Sequence, residues 1–384
     1  NKEKFINLRK DYPVFSYDSY KVTESSQYIT IQYLFDNGAV QFNPKIIIKK
    51  NKYIINNINS IEHIAFLHGM FELVSYWKAT CSPKILIKPY NLSNNLTNFF
   101  KKLYFLGLGE FRYLNNIHDS VSENEFFDFV FIDNKQLPTI KINGLTDNKI
   151  IPVGGGKDSS LTLDILSKFN TDNNICLSIN PSLASYKTIE ISKCNTENII
   201  EIKRTIDKNL IKLNQKGFLN GHTPFSSVVA SLSIIISSLT NSKYIVLSNE
   251  SSANETTVYN SEINHQYSKT IQFEKDLQQY IKENISDEMR YFSILRPLNE
   301  LQIAFLFSKL KQYHTHFRSC NNGSKINSWC CNCAKCLFTY IILSPFIQQK
   351  ELVKIFGKNL LEKEELQQTF NQLIGISAIK PFEC

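Results

Sequence analysis

Ile150 to Ser160 reads IIPVGGGKDSS, an apolar run followed by three glycines and then Lys-Asp-Ser-Ser. The mostly apolar segment Lys149 to Val153 predicts a buried strand, and Ser159 to Phe169 predicts the helix that follows it. Glycines at such a junction allow the backbone to approach a ligand closely, and the amides at a helix start favour an anion. The stretch therefore predicts a phosphate-binding loop, with a glycine-rich turn that binds nothing as the alternative.

Strand and helix patterns alternate on the C-terminal side of this loop, which is typical of a parallel sheet with helical crossovers. The predicted strands are Ile175 to Ile179 and Tyr244 to Leu247, and the predicted helices are Ser227 to Leu239, Gln272 to Ile281, Glu300 to Leu310 and a last pair after Cys336. We therefore expect an α/β domain over residues 146–384.

Residues 1–145 lack this regular alternation of strands and helices and predict a mixed α+β domain. Tyr28 to Tyr33, Ile46 to Ile48 and Phe126 to Ile132 resemble strands, and Asn98 to Leu106 resembles a helix. Between Ile61 and Trp77, apolar residues recur every three or four positions, which predicts a helix with one apolar face. No grouping of residues in this part indicates a catalytic site by itself.

The composition is that of a globular protein large enough for two domains, with 384 residues, 42% of them hydrophobic and 20% charged. The net charge of +8 comes with no basic tail or domain, so it argues only weakly for a nucleic-acid partner. Asn1 to Lys10 lacks the pattern of a secretory signal, and the longest apolar run, Val228 to Leu239, is too short for a membrane span. We expect a cytoplasmic protein with no membrane contact.

The glycine-rich loop departs from both common nucleotide-binding fingerprints. Asp158 stands where a Walker A sequence needs Ser or Thr, and Ser159 stands where G-x-G-x-x-G needs its third glycine. Gly155 to Ser159 instead resembles the Ser-Gly-Gly-x-Asp-Ser motif of the PP-loop ATP pyrophosphatases, with Gly154 in place of the leading serine. This resemblance implies an adenine nucleotide α-hydrolase-like sheet and ATP bound by Gly154, Gly155, Gly156, Lys157, Asp158, Ser159 and Ser160. Asp158 is also the best candidate for a Mg²⁺ ligand, because that ion prefers carboxylate and phosphate oxygens.

Five of the nine cysteines fall within one window near the C-terminus. Cys320, Cys330, Cys333 and Cys336 have the C-x-x-C spacing of a structural zinc knuckle, which leaves Cys331 as the surplus thiol. Reduced cysteines packed as small hydrophobic residues and a redox C-x-x-C are the alternatives. A similar pattern occurs in the 7-cyano-7-deazaguanine synthases, which are also PP-loop enzymes. Cys384 has no assigned purpose.

Two polar blocks lie between the loop and the cysteines. The first is Asn220 to Phe225, and the second runs from Ser248 to Glu255 and continues from Asn264 to Thr270 and Phe273-Glu274. Ligands of a doubly wound sheet bind outside the carboxyl ends of its strands, where we expect both blocks. Helix caps and loop hydrogen bonds are the alternative roles for their side chains.

In these two blocks the sequence resembles one family in particular, the UDP-N-acetyl-α-D-muramoyl-L-alanyl-L-glutamate epimerases. It is carried by NGHTPFSS, SNESSANE, INHQYSKTIQFE, WCCNCAKCLF and the terminal KPFEC, and in the first domain by HGMFELVSYWKATCSPKI and FLGLGEFRY. It implies ATP- and Mg²⁺-dependent inversion of the terminal L-glutamate of UDP-MurNAc-L-Ala-L-Glu, with release of AMP and pyrophosphate. Adenylation removes the negative charge that makes a carboxylate resist loss of its α-proton, which explains why a proton-transfer enzyme would carry a PP-loop.

Epimerisation removes a proton on one face of the α-carbon and delivers one on the other, so acid/base groups must lie nearby. His222 and His265 titrate nearest neutrality and are the first candidates, ahead of Glu250, Glu255 and Lys269. Two other functions stay open: a different PP-loop adenylating reaction, on a deazapurine or on tRNA, and a zinc-stapled RNA-binding module. The oligomeric state is not determined by the sequence.

Overall fold

The protein was studied as a computed structural model that describes residues 1–56, 58–132, 135–169, 171–192, 194, 196–258, 261, 263–320, 322–323, 326–376 and 380–382. The strands are β1 (Val14–Glu24), β2 (Tyr28–Asp36), β3 (Gln41–Phe42), β4 (Lys45–Lys49), β5 (Lys84–Ile87), β6 (Asp128–Phe131), β7 (Thr146–Pro152), β8 (Asn174–Ile179), β9 (Ile199–Thr205), β10 (Ser242–Leu247) and β11 (Arg290–Ser293). The helices are α1 (Lys2–Asp11), α2 (Glu62–Trp77), α3 (Asn94–Gly107), α4 (Gly109–Leu114), α5 (Glu123–Phe126), α6 (Lys157–Leu166), α7 (Leu183–Ile191), α8 (Lys208–Gln215), α9 (Phe225–Leu239), α10 (Ile271–Asn284), α11 (Glu300–Ser308), α12 (Ala334–Leu343), α13 (Gln349–Phe356) and α14 (Gln367–Leu373).

All these strands join one mixed sheet in the order β11-β10-β7-β8-β9-β4-β2-β1-β5-β6, with β3 paired to β2. The five strands from β11 to β9 are parallel to one another. The strand–helix alternation predicted from residue 146 onward is thus confirmed as an α/β arrangement. Parallel strands need crossovers, and α6, α7, α9 and α10 lie in the four connections.

The sheet continues without interruption from the C-terminal part of the chain into the N-terminal part. β4 pairs with β9 in antiparallel fashion, so that Ile48 lies opposite Ile202. A division of the chain near residue 146 stays a prediction, and any such division would run through one shared sheet. The N-terminal strands are mixed, because β1 and β2 are antiparallel whereas β1 and β5 are parallel.

Helix α2 differs from the one-sided helix that its periodicity predicts. Every residue from His63 to Trp77 is buried, because the helix packs against β1 and β2 of the sheet on one side and against α9 on another. Both helices are apolar around most of their circumference, as expected for helices buried inside a large core. Buried serine hydroxyls of α9 donate to backbone carbonyls: Ser238 to Ile234 within the helix, at 2.8 Å, and Ser237 to Ser242 of β10.

The predicted strand from Phe126 to Ile132 forms only in part. Residues Glu123–Phe126 make a short helix instead, because Ser122 and Glu125 form a capping box, and the strand begins at Asp128. The C-terminal helices enclose a separate apolar cluster around Phe317, Trp329 and the cysteines. Among the described residues, the helices are all too short or too polar to cross a membrane.

Candidate active site

The glycine loop, Gly154–Ser160, connects β7 to α6 as the sequence predicts. Gly155 has a φ of +86°, and a Cβ atom at this position would lie 2.5 Å from the amide nitrogen of Ser185. Only glycine fits both conditions, because L side chains avoid this φ and the start of α7 leaves no space. At Gly154, by contrast, a Cβ atom would meet nothing within 4 Å.

The first turn of α6 carries a buried lysine surrounded by carboxylates. Lys157 Nζ lies 2.5 Å from Asp158 Oδ1 and 2.6 Å from Glu300 Oε2. Burial alone would lower the pKa of Lys157, but the carboxylates of Asp158, Glu300 and Glu250 raise it above its ordinary value. Burial raises the pKa of Glu300 to about 7, with Lys157 acting in the opposite direction. The loop thus keeps a permanent positive charge beside a carboxyl group that titrates near neutrality.

The hydroxyls of Ser159 and Ser160 both donate to the carbonyl oxygen of Gly156, at 3.1 and 2.9 Å. They therefore help to start α6, where Gly156 is the N-cap. Their oxygens can still accept a hydrogen bond, and the amides of the first helical turn favour an anion. Contacts from the glycine loop to a triphosphate, and from Asp158 to Mg²⁺, stay predictions.

The two histidines singled out in the sequence lie side by side. The ring centroids of His222 and His265 are 6.4 Å apart and nearly perpendicular. His222 Nδ1 lies 3.4 Å from Glu110 Oε2, and His265 Nδ1 lies 2.9 Å from Thr257 Oγ1. Each imidazole thus has a polar neighbour that orients it, which is a usual feature of acid/base histidines.

Burial keeps both rings neutral, and the positive charges of lysines add to its effect. Burial is the main cause that lowers the pKa, to about 4 for His222 and about 3 for His265, and positive charges add to it. The charges come from Lys78, Lys269 and Lys335 for His222, and from Lys269 and Lys335 for His265. We call Lys78, Glu110, His222, Thr257, His265 and Lys269 the histidine cluster.

Lys78 is the most buried of these lysines and holds the first polar block in place. Its Nζ donates to the carbonyl oxygens of Gly221 and His222 and, at 2.7 Å, to Thr223 Oγ1. Burial lowers the pKa of Lys78 to about 8. The lysine thus fixes the backbone that carries His222 and adds positive charge to the site.

The three other catalytic candidates divide between separate places. Lys269 belongs to the histidine cluster through its effect on both rings. Glu250 is buried near the glycine loop, where its charge acts on Lys157 and Glu300. Glu255 is exposed and pairs with Lys380 at 2.5 Å. The structure therefore brings together the two histidines and Lys269, but not the two glutamates.

The four predicted metal ligands converge. The Sγ atoms of Cys320, Cys330, Cys333 and Cys336 all lie within 4.8 Å of one another. The distances are 4.0 Å for Cys320–Cys333, 3.7 Å for Cys330–Cys336 and 3.5 Å for Cys333–Cys336. A tetrahedral site with Zn–S bonds near 2.3 Å has its sulfurs about 3.8 Å apart, so the donor set and its spacing fit zinc. We call these four residues the cysteine cluster.

Cys331 faces away from this cluster, because its Sγ contacts the carbonyl oxygen of Phe356 at 3.1 Å. Cys384 lies outside the described residues. Sulfur of Cys320 accepts hydrogen bonds from the amides of Gly323 and Cys330, at 3.1 and 3.4 Å. Amide donors to a cysteine sulfur stabilise the thiolate form that a metal needs.

The cysteine-bearing segment is attached to the rest of the site. The amide of Arg318 donates to the carbonyl of Gly155 at 2.8 Å, and a Cβ atom at Gly156 would lie 3.1 Å from Ser319 Oγ. Farther along, the amide of Lys380 contacts the carbonyl of Thr257 at 3.4 Å. The segment thus touches both the glycine loop and the region of His265.

Reasoning from the sequence missed several residues that border these groups. They are Lys78, Glu110, Thr257, Glu300 and Lys335. Lys78 and Glu110 lie within two N-terminal stretches that carry the family resemblance, HGMFELVSYWKATCSPKI and FLGLGEFRY. Polar residues in those otherwise apolar stretches were the available signal, but nothing in the sequence alone pairs them with His222.

Comparison with known families gives two adjoining matches. The profile described as the MurL N-terminal domain matches residues 7–294, and that described as the MurL C-terminal domain matches residues 316–384. The first match covers the strands of the sheet and both histidines, and the second covers the cysteine cluster.

Curated relatives agree with these matches. The chain is 30% identical over 374 residues to a protein of Xanthomonas oryzae pv. oryzae (strain MAFF 311018) named UDP-N-acetyl-alpha-D-muramoyl-L-alanyl-L-glutamate epimerase, covering 92% of this chain and 79% of the relative. Proteins with the same name from Micromonospora sp. (strain ATCC 39149 / NRRL 15099 / SCC 1413) and Salinispora tropica are each 31% identical. These matches cover 81% and 85% of this chain, and 69% and 72% of the two relatives.

Proposed function

The chain belongs to the MurL family of UDP-N-acetyl-α-D-muramoyl-L-alanyl-L-glutamate epimerases, and we propose that it inverts the terminal L-glutamate of UDP-MurNAc-L-Ala-L-Glu to D-glutamate. It is thus an isomerase of peptidoglycan precursor synthesis with a small-molecule substrate. We further propose that the reaction depends on ATP and Mg²⁺ and releases AMP and pyrophosphate.

One observation carries the ATP-dependent part of this proposal. β7 and β10 are adjacent and parallel, with Ile150 opposite Ile245. The glycine loop follows β7, and the segment with Glu250 and His265 follows β10, so both leave the same edge of the sheet. Carboxyl ends of parallel strands are where α/β proteins bind their ligands. A loop suited to phosphates and the segment that carries His265 therefore follow neighbouring strands at one edge of the sheet, which supports a shared site.

The nucleotide would activate the substrate by converting its terminal α-carboxylate into an acyl adenylate. The residues fit a triphosphate in three respects: Gly154 lies in open space, α6 presents its N-terminal amides, and Lys157 keeps its positive charge. Asp158 would contribute a carboxylate to Mg²⁺ beside these phosphates.

The histidine pair suits inversion at a carbon atom. Acid/base groups must lie next to the α-carbon, and the rings of His222 and His265, with centroids 6.4 Å apart, bring two such groups to one place. In the free protein both rings are neutral and can accept a proton. A bound anionic substrate offsets the neighbouring lysines and raises the pKa of both rings, so that one of them can hold the proton to be delivered.

Glu110 and Thr257 have positioning roles in this proposal. A carboxylate 3.4 Å from His222 Nδ1 stabilises the imidazolium, and the hydroxyl at His265 Nδ1 leaves Nε2 as the atom for proton transfer. Lys269 supplies positive charge next to both rings and is a second source of a proton. Zinc in the cysteine cluster would act as a structural element that holds the C-terminal segment against the glycine loop.

The test is ATP-to-AMP conversion by the full chain with UDP-MurNAc-L-Ala-L-Glu, compared with deazaguanine precursors and with tRNA. We expect AMP release and solvent-deuterium incorporation at the glutamate α-carbon with the dipeptide nucleotide alone. AMP release with a deazaguanine precursor or tRNA, but not with the dipeptide nucleotide, would overturn the proposal. Epimerisation that proceeds without ATP would overturn its adenylation part only.

A further inference from the structure

Arg296 lies in the turn that follows β11, and only 14% of its side chain is exposed. Its guanidinium pairs with the carboxylate of Glu274 on α10 at 2.8 Å, and 7% of the Glu274 side chain is exposed. A buried ion pair is weak evidence for stability, because desolvation of the two charges offsets much of their attraction. The remaining contacts of Arg296 indicate a more specific purpose.

The same guanidinium holds two backbone carbonyls from different parts of the second polar block. Nη1 donates to the carbonyl oxygen of Glu250 at 2.7 Å, and Nη2 donates to that of Lys269 at 2.8 Å. Glu250 follows β10, whereas Lys269 precedes α10. Because a guanidinium is a rigid planar fork, it fixes the distance between the two carbonyls.

The carbonyl of Lys269 belongs to a series of tight backbone turns over residues 264–270, which we call the histidine turn. Amides within it donate to carbonyls three residues earlier, as Lys269 does to Gln266 at 2.6 Å. His265 lies inside this segment, and its Nδ1 is 2.9 Å from Thr257 Oγ1. A guanidinium that holds the carbonyl of Lys269 therefore also limits where the imidazole of His265 can move.

Arg296 is itself fixed against the loop that follows β10. The carbonyl oxygen of Leu298 accepts hydrogen bonds from the amide and the hydroxyl of Ser251, at 2.9 and 3.0 Å. The amide of Leu298 donates to the carbonyl of Leu295, so that Leu298 and Arg296 share one backbone turn. The arginine thus reaches the histidine turn from a fixed base.

Two further contacts join the histidine turn and the start of α10 to the loop after β10. Asn264 Nδ2 donates to the carbonyl of Ala253 at 2.9 Å, and the amide of Ile271 donates to Asn254 Oδ1 at 2.8 Å. These segments therefore have contacts that do not involve Arg296. Loss of the guanidinium should loosen their relative placement without separating them.

We propose that Arg296 is a positioning residue for proton transfer, which holds the histidine turn at a fixed distance from Glu250 and so keeps His265 beside the reacting carbon. This proposal rests on the proposed function. Arg296 acts through the backbone and neither accepts nor delivers the proton. A misplacement of about 1 Å can cost about 10²-fold in rate, so that such a residue can have a large effect without touching the substrate.

The simplest competing explanation is that Arg296 only stabilises the fold through its ion pair with Glu274. In that case activity would follow the free energy of unfolding, and E274Q would be as harmful as R296M. The experiment therefore compares variants that break different contacts of the same guanidinium.

The experiment measures exchange of the glutamate α-proton of UDP-MurNAc-L-Ala-L-Glu with solvent in the wild type, R296M, R296K and E274Q. We expect R296M to lose about 10²-fold in kcat with a change in KM of less than about threefold, because misplacement affects the transition state more than substrate binding. E274Q is the matched control and should lose less than about fivefold, because glutamine still offers an acceptor oxygen and both carbonyl contacts remain. R296K should fall between the two, because an ammonium keeps the charge but lacks the planar fork.

Backbone amide exchange, followed by mass spectrometry without substrate, provides a readout independent of turnover. It should be faster in the histidine turn of R296M and unchanged in the buried helix α2. Urea unfolding at the assay temperature shows whether each variant is folded.

A loss of kcat in E274Q equal to that in R296M, or wild-type amide exchange in the histidine turn of R296M, would overturn the assignment of Arg296. If R296M does not fold, R296K replaces it, and a loss no larger than that in E274Q would overturn the assignment. A wild type that does not exchange the α-proton would instead overturn the proposed function, so the two failures are distinguishable.

Discussion

The glycine loop and the histidine cluster are built in opposite ways. The loop consists of consecutive residues, and its shape depends on the backbone, above all on the φ of +86° at Gly155. The histidine cluster takes side chains from segments as far apart as Lys78 and Lys269, and its properties depend on burial and on neighbouring charges. A motif of consecutive residues can therefore be recognised in the sequence, whereas a site formed by residues distant in the chain can be recognised only in the folded structure. Four changes test this contrast.

Removal of the metal should have the largest effect, because the cysteine cluster supports both regions. We expect C336S to lose bound zinc and to lower the free energy of unfolding by about 4 kcal/mol or more, since loss of a metal site belongs to the severe class of substitutions. Metal analysis and urea unfolding measure this. C331S is the matched control, because Cys331 faces Phe356 and not the cluster; an equal loss of zinc in C331S would contradict the predicted ligand set.

Substitution of either histidine should impair proton transfer while leaving the adenylation activity assigned to the glycine loop in place. H222Q and H265Q should slow exchange of the glutamate α-proton with solvent by about 10²- to 10⁴-fold, the range of acid/base catalysis. AMP formation should persist, because neither ring contacts the glycine loop through any described bond. H316Q is the control at a half-buried position on the C-terminal segment. Undiminished proton exchange in both variants would remove the pair from the mechanism.

G155A should damage the loop and leave the histidine cluster intact. The new Cβ atom would lie 2.5 Å from Ser185 N, at a φ of +86°, so we expect a loss of about 2 to 3 kcal/mol in unfolding free energy and of most ATP-dependent AMP formation. G154A is the matched control, because a Cβ atom there meets nothing within 4 Å. If G154A and G155A behave alike, the loop does not depend on this close approach.

The smallest effect should be the pH dependence that the histidines give to stability. The pKa of His222 is about 4 in the folded protein and near 6.5 when unfolded, so the unfolded chain binds more protons between these values. The stabilisation is therefore complete above pH 6.5 and is lost as the pH falls towards 4. We expect H222Q to reduce the loss of stability between pH 7.5 and pH 5 by about 1 kcal/mol, after allowance for solvent screening. The free energy of unfolding is measured by urea titration at each pH. If its change with pH is the same in H222Q and in the wild type, His222 is not buried as described.

Much of the fold was predictable because it follows from local patterns. The strand before the glycine loop, the helix after it and the apolar helix α9 were predicted within a few residues of their observed bounds. Burial of α2 on nearly all sides was not predictable from its periodicity, since it depends on where α9 packs. The pairing of β4 with β9, which joins the two parts of the chain in one sheet, also has no local signal.

For the cysteine cluster, the spacing of the cysteines in the sequence predicts part of the site. Its C-x-x-C steps predict which residues meet, and the sulfurs do lie within 4.8 Å of one another. Spacing does not reveal that Arg318, on the same segment, contacts Gly155.

The sequence by itself determined the family, the glycine loop between β7 and α6 and the set of four converging cysteines, because each of these follows from residues close together in the chain. The tertiary structure alone decided that Glu110 lies beside His222, that Lys157 pairs with Glu300, and that Glu255 is exposed. The physical reason is that burial, pKa and ion pairing depend on distances in space, and residues far apart in the chain acquire such distances only on folding.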